Sequence, residues 1–135
     1  MTVTVTRLNN EPIIIATLSG IVTATMVKEV FRLSTELMGD EDCTFHRITD
    51  VRNADSNFME MMGVIKEAAT RAPGSTTDPR IRTTFVGTTT WMTFFRNALQ
   101  NPQFGGKSLA AFTDIDDALA SVRFQLQNEK SSSIS

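Results

Sequence analysis

The feature that most restricts what this chain can become is the way two hydrophobic periods take turns along it. "TVTVTR", Thr2 to Arg7, alternates with period two, as a half-exposed strand does. A turn at Asn9-Asn10 follows, and Pro12 to Leu18 returns as a more deeply buried strand, so the two form a hairpin. From there, each apolar run is followed by a segment of helical period. Thr23 caps a helix whose apolar positions Val27, Val30, Phe31, Leu37 and Met38 recur at helical spacing, and Gly39 closes it. The acidic loop "GDEDC" leads into a strand over about Thr44 to Val51. A second helix opens within "NADSNFMEMMG", Asn53 to Gly63, and runs to Ala72, where Pro73-Gly74 stops it. After the polar loop "PGSTTDP", Arg80 to Val86 is a strand and Thr90 to Gln100 a helix, ended by Asn101-Pro102. Ser108 to Phe112 is a short strand. Thr113 or Asp114 caps a last helix carrying Ile115, Ala118, Leu119, Val122 and Leu126 on its buried stripe.

A hairpin followed by alternating strands and helices predicts an α/β fold. Its mixed sheet has about five strands, with parallel crossovers after the hairpin, and four helices cover it. At 135 residues the chain is long enough for one core, and 1–128 reads as a single domain with 129–135 as a flexible tail. The 13 basic residues are scattered among 15 acidic ones, which leaves no footprint for nucleic acid and no polybasic membrane patch. "IIIATLSGIV" falls far short of the roughly 20 apolar residues an integral membrane segment needs. The start has no basic stretch leading into an apolar one, so it does not read as a secretion signal. Cys43, the sole cysteine, has no intrachain disulfide partner, which suits a reducing cytoplasm. Cytoplasmic localisation is the expectation.

Catalytic chemistry finds no support in the spacing. His46 and Cys43 lie three apart, on opposite faces of a regular strand, and no carboxylate cluster joins them, so no metal site is expected. His46 and Asp50 share a face but stand roughly 13 Å apart, beyond a triad's hydrogen bonds to Ser56. "GGKS", Gly105 to Ser108, precedes a strand where a phosphate loop precedes a helix, and reads as a turn. "VGTTTW" joins a strand to a helix, where backbone N–H groups can hold an anion, but Thr89 or Thr90 as N-cap explains it as well. No enzyme and no cofactor is expected.

Three stretches carry a family resemblance: "SGIVTATMVKEV" after the hairpin, "RIRTTFVGTTTWMTFFRNAL", and "LAAFTDIDDALASV". Their strand endings and helix starts resemble the STAS fold, in its SpoIIAA-like branch of anti-sigma-factor-antagonist-like proteins. The resemblance implies a regulatory domain whose strand-end Asp precedes an Asp-Ser-Ser-Gly type motif, the second Ser accepting phosphate. Asp50 matches that Asp, and Asp55-Ser56-Asn57-Phe58 takes the motif's place. Asn57 stands where the acceptor would be and has no hydroxyl, and Phe58 replaces the Gly. Ser56 is the residual candidate, and a phosphate there would sit at a helix N-terminus, with Asp55 and Asn57 beside it as a possible anion site. Read without the resemblance, Asn57 is an N-cap with Glu60 three residues on.

The second and third helices each spread apolar residues over an arc of about 160°, where covering a sheet needs roughly 100° or a little more. Phe58, Met62, Trp91, Met92 and Phe95 from these arcs, with Met59 outside its arc on the otherwise polar side, are the candidates for an apolar surface. One reading is a non-enzymatic regulatory or scaffolding domain that binds a protein partner or a second copy of itself through that surface. The other is a carrier of a small apolar ligand held between the two helices by Met62, Trp91 and Phe95. The plain alternative is that the wide arcs pack against each other and the last helix. Phe124 points away from its helix's buried stripe.

Overall fold

A computed structural model describes residues 2–70, 72–104, 106 and 108–134, with side chains to Glu129. Thr2–Arg7 (β1) pairs antiparallel with Ile13–Ile21 (β2), and Asn10 takes the left-handed conformation, φ 62°, that turns the chain between them. Every later strand is laid down parallel. Phe45–Asp55 (β3) pairs with β2, Ile81–Val86 (β4) with β3, and Ala110–Phe112 (β5) with β4, in spatial order β1-β2-β3-β4-β5. The helices are Ala24–Met38 (α1), Phe58–Ala68 (α2), Thr90–Gln100 (α3) and Ile115–Ile134 (α4), with a single 3-10 turn at Pro102–Phe104. The α/β mixed sheet with four helices expected from the sequence is the fold observed. The α4 span takes in 129–134, and the turn expected at Gly105–Ser108 lies partly outside the described residues.

Period-two alternation divides the strands between two faces. Ala16, Leu18, Val51 and Phe85 pack beneath α1, α2 and α3, together with Val30, Phe31, Val64, Ile65, Met92 and Phe95. Ile13, Ile48 and Val86 face the other way, against Ala118 and Val122 of α4. The last helix therefore covers the opposite side of the sheet, and its packing cannot absorb the apolar width of α2 and α3. β3 is the central strand, enclosed on both faces from Phe45 to Asp50, so its polar residues His46, Arg47, Thr49 and Asp50 are buried too. Arg47 lies under α1, its guanidinium 5.2 Å from the Phe31 ring, while His46 faces α4 with Nε2 3.3 Å from Glu129 Oε1.

Two boundaries that bear on the site differ from the sequence expectation. β3 runs on to Asp55, past Val51, because Asn53, Ala54 and Asp55 continue to pair with Ser19, Gly20 and Ile21 of β2 after β4 has ended opposite Asp50. Asp50 is thus inside the strand and not at its end, its carboxylate bonded by Arg52 Nη2 at 2.8 Å. α2 stops at Ala68 and not Ala72. The Thr70 hydroxyl turns back onto the Glu67 carbonyl, and the hydroxyls of Ser75 and Thr77 both occupy the Thr70 carbonyl, which draws the chain out of the helix.

Candidate functional site

α2 begins where the polar sequence allows it. Asn57, extended at φ −132° and ψ 170°, accepts the Glu60 N–H on its side-chain oxygen at 2.9 Å, the N-cap bond anticipated for this pair. α3 begins after a three-residue loop, with Thr89 at its N-cap making no side-chain cap bond. The two helix starts stand side by side, and between them lies an open-mouthed groove of about 540 Å³. Its walls are Asp55, Ser56, Asn57, Phe58 and Met61 from one side and Thr89, Thr90, Trp91 and Phe94 from the other.

Around this groove the apolar side chains split into two sets. Phe58 is 70% exposed, Met59 82%, Met62 40% and Phe94 47%. Trp91 is half-buried, with its ring against the core. Met92 and Phe95 belong to the core instead, at 1% and 5% exposure, and Phe95 stands edge-to-face on Phe85 with ring centroids 5.7 Å apart. Their assignment to an exposed surface is corrected. On α3 the sheet takes Met92, Phe95 and Leu99, which leaves Phe94 as the outward aromatic.

Two polar atoms at the groove are enclosed without a hydrogen-bond partner among the described residues: Ser56 Oγ and Trp91 Nε1. The Ser56 backbone N–H is satisfied by Asp55 Oδ1 at 2.8 Å, so only its hydroxyl is free. An indole N–H can only donate, and the uncapped first turn of α3 also presents N–H groups. The groove therefore offers donors within an apolar frame. An occupant with a greasy body and a hydrogen-bond acceptor complements it.

No protein-family model and no curated protein matches the sequence. Solved structures do. The chain is similar to an uncharacterised protein of the DUF3478 family with a SpoIIAA-like fold from Shewanella loihica PV-4. The two share 12% identity with a TM-score of 0.56, over 88% of this chain and 90% of that one. It is similar also to an anti-sigma factor antagonist from Mycobacterium paratuberculosis, at 12% identity and a TM-score of 0.53, over 90% and 93% of the two chains. The fold is SpoIIAA-like. At this identity the likeness speaks for architecture alone.

Within the SpoIIAA-like frame, the two groups of residues singled out in the sequence occupy one place. Asp55, Ser56 and Asn57 form one lip of the groove, and Phe58 and Trp91 line it. Met59 and Met62 are exposed on α2 outside the lining. Phe94, Met61, Thr89 and Thr90 complete the walls; the sequence weighed the turn at Thr89 and Thr90 as an N-cap or an anion-holding turn and did not mark Phe94 or Met61 as a site. Phe94 was visible as part of a wide apolar arc, but periodicity cannot say which edge of an arc faces outward. Away from the groove, no group of three or more His, Cys, Asp or Glu among the described residues could hold a metal ion. No described helix is long and apolar enough to cross a membrane.

Proposed function

We propose that this chain is a non-enzymatic regulatory or scaffolding domain that docks a segment of a protein partner across the α2–α3 groove. The observation that carries the reading is the exposure of Phe58 and Phe94 in the lining of one open groove, with Met59 and Met62 exposed on α2 outside that lining, on a face that α4 does not cover. Exposed apolar side chains clustered in this way are characteristic of interaction surfaces, and methionine adapts to the shape of what it meets. The groove's unpartnered donors suit the backbone carbonyls of an incoming segment. That a SpoIIAA-like neighbour is an anti-sigma factor antagonist supports a regulatory setting by analogy of fold.

Carriage of a small apolar ligand is the second reading. About 540 Å³ lies within the range of small-molecule pockets, but such pockets bury most of their ligand, and this groove is open along its mouth. A photo-crosslinking residue placed at Met59, with a control at Gln127 on the opposite face of the sheet, separates the readings in the native cell. Docking requires a protein adduct at position 59 that is absent at 127 and lost when Phe94→Ser is added. An adduct of twice the chain mass identifies the partner as a second copy. No adduct at 59, together with a saturable change in Trp91 fluorescence on titrating a fatty acid, overturns docking in favour of carriage.

A further inference from the structure

A smaller cavity of about 50 Å³ lies between the sheet and α1, α2 and α3 and does not share the groove's walls. Its polar lining consists of Arg47, Thr49, Thr76 and Thr83, set among apolar side chains such as Leu18 and Phe85. Arg47 and Thr83 are opposite one another in the β3–β4 register, so both side chains leave the sheet on the same side. Both residues are at least nine-tenths buried.

Arg47 is only partly satisfied. Its Nη1 donates to Ser34 Oγ at 3.2 Å and to the Gly74 carbonyl at 2.5 Å. Its Nε, however, is enclosed without a partner among the described residues, as is Thr83 Oγ1. Asp78 is the carboxylate whose field favours the Arg47 charge, but that carboxylate is already bonded by Arg80 Nη2 and by the Gly74 N–H, each at 2.8 Å. Burial pushes Arg47 down to about 10, which still leaves it cationic at neutral pH. A buried cation without a close counter-charge is strongly unfavourable.

We propose that this cavity binds a small monovalent anion of chloride size, held by Arg47 Nε–H and the Thr83 hydroxyl. One water occupies about 30 Å³ in the liquid, so the space admits a monatomic ion and excludes a large organic anion. A lone water would bring two more O–H donors to Arg47 Nε–H and the Thr83 hydroxyl and would add no negative charge beside the guanidinium. An anion accepts from every donor and neutralises the charge. Thr49 and Thr76 add hydroxyls that can turn toward it.

The test is the thermal midpoint, followed by circular dichroism, in sodium chloride and in sodium gluconate at matched ionic strength. Ligand linkage predicts a rise of roughly 5 °C per tenfold increase in chloride above its Kd, for a chain of this size. In gluconate the slope should be flat. Thr83→Val, which keeps the shape and removes the hydroxyl, should weaken the site and move the chloride concentration at which the rise begins up at least twofold. Crystals grown in bromide should show an anomalous peak between Arg47 and Thr83. Equal slopes in the two salts, an unchanged onset in Thr83→Val, or density there without anomalous signal would each overturn the site. Arg47→Met should abolish the dependence, but the first three measurements decide the matter even where that variant does not fold.

Discussion

Substituting single apolar residues on α2 and α3 should divide them sharply into two classes. Fully burying a Met or Phe side chain contributes about 1.5–3 kcal/mol, and truncating one in a packed core costs more because a cavity remains. Met92, at 1% exposure, should therefore lose about 2–5 kcal/mol as Met92→Ala. Phe95→Ala should lose about 3–5 kcal/mol, including its edge-to-face contact with Phe85. For 135 residues about 1 kcal/mol moves the thermal midpoint by roughly 3.5 °C, so Met92→Ala should melt about 7–18 °C early. Met59 is 82% exposed and has under a fifth of its side chain to lose, so Met59→Ser should cost about 0.3–0.5 kcal/mol, a shift within about 2 °C. Urea titration followed by circular dichroism measures each variant without depending on the groove's own Trp91. Partner binding, read by moving the photo-crosslinking residue to position 62, should fall in Met59→Ser. If Met59→Ser proves as destabilising as Met92→Ala, the fold itself covers that face, and no docking surface exists there.

The groove's enclosed hydroxyl gives a second check. Removing an unpaired buried polar atom is neutral or stabilising, so Ser56→Ala should hold or raise the urea midpoint while weakening partner binding. A loss above about 1 kcal/mol would mean that the fold satisfies this hydroxyl. Asn57→Ala should cost about 1 kcal/mol through the lost bond to the Glu60 N–H, and Asn57→Ser should recover most of it in the same titration. Burial lowers the His46 pKa below 6.5, against an opposing pull from Glu129. The unfolded chain then binds this proton first, so stability should fall as pH drops below about 6.5 and level off below the folded-state value. Urea midpoints measured across that range should show a smaller pH slope in His46→Gln, and an unchanged slope would assign the titration to another group.

Much of this architecture was legible because local chemistry and global fold agree. Thr23 and Asn57 sit as N-caps in the structure, each accepting a backbone N–H three residues on. The overrun of β3 was not legible. Once β4 ends, "RNAD" is covered on fewer sides, with Arg52, Asn53 and Asp55 exposed and Ala54 alone buried, so its composition is that of a loop. Arg47 was obscured for the converse reason. Charged residues are rarely fully buried, and only the placement of β3 at the sheet's centre shows that "FHRITD" has no solvent side. The two helix faces were read as one wide arc each. Which residues of the arc the sheet claims depends on how the helices roll against it, and that is set by neighbours far away in sequence.

The unequal lengths of β3 and β4 have a consequence for how this groove can change. Five residues of β3, Val51 to Asp55, lie beyond its last pair with β4, a rise of roughly 16 Å along the strand. The rim of the sheet is therefore stepped, and α2 is launched from the upper tread while the loop into α3 leaves from the lower. The depth of the groove is set by backbone length, through a stretch whose Arg52, Asn53 and Asp55 are exposed and only Val51 and Ala54 join the main core. Deleting a pair of residues from "RNAD", which preserves the facing of the strand, would lower the tread and make the recess shallower while leaving Ile48, Phe85 and Phe95 in place. Such a chain can change the depth of its groove without renegotiating what holds it together.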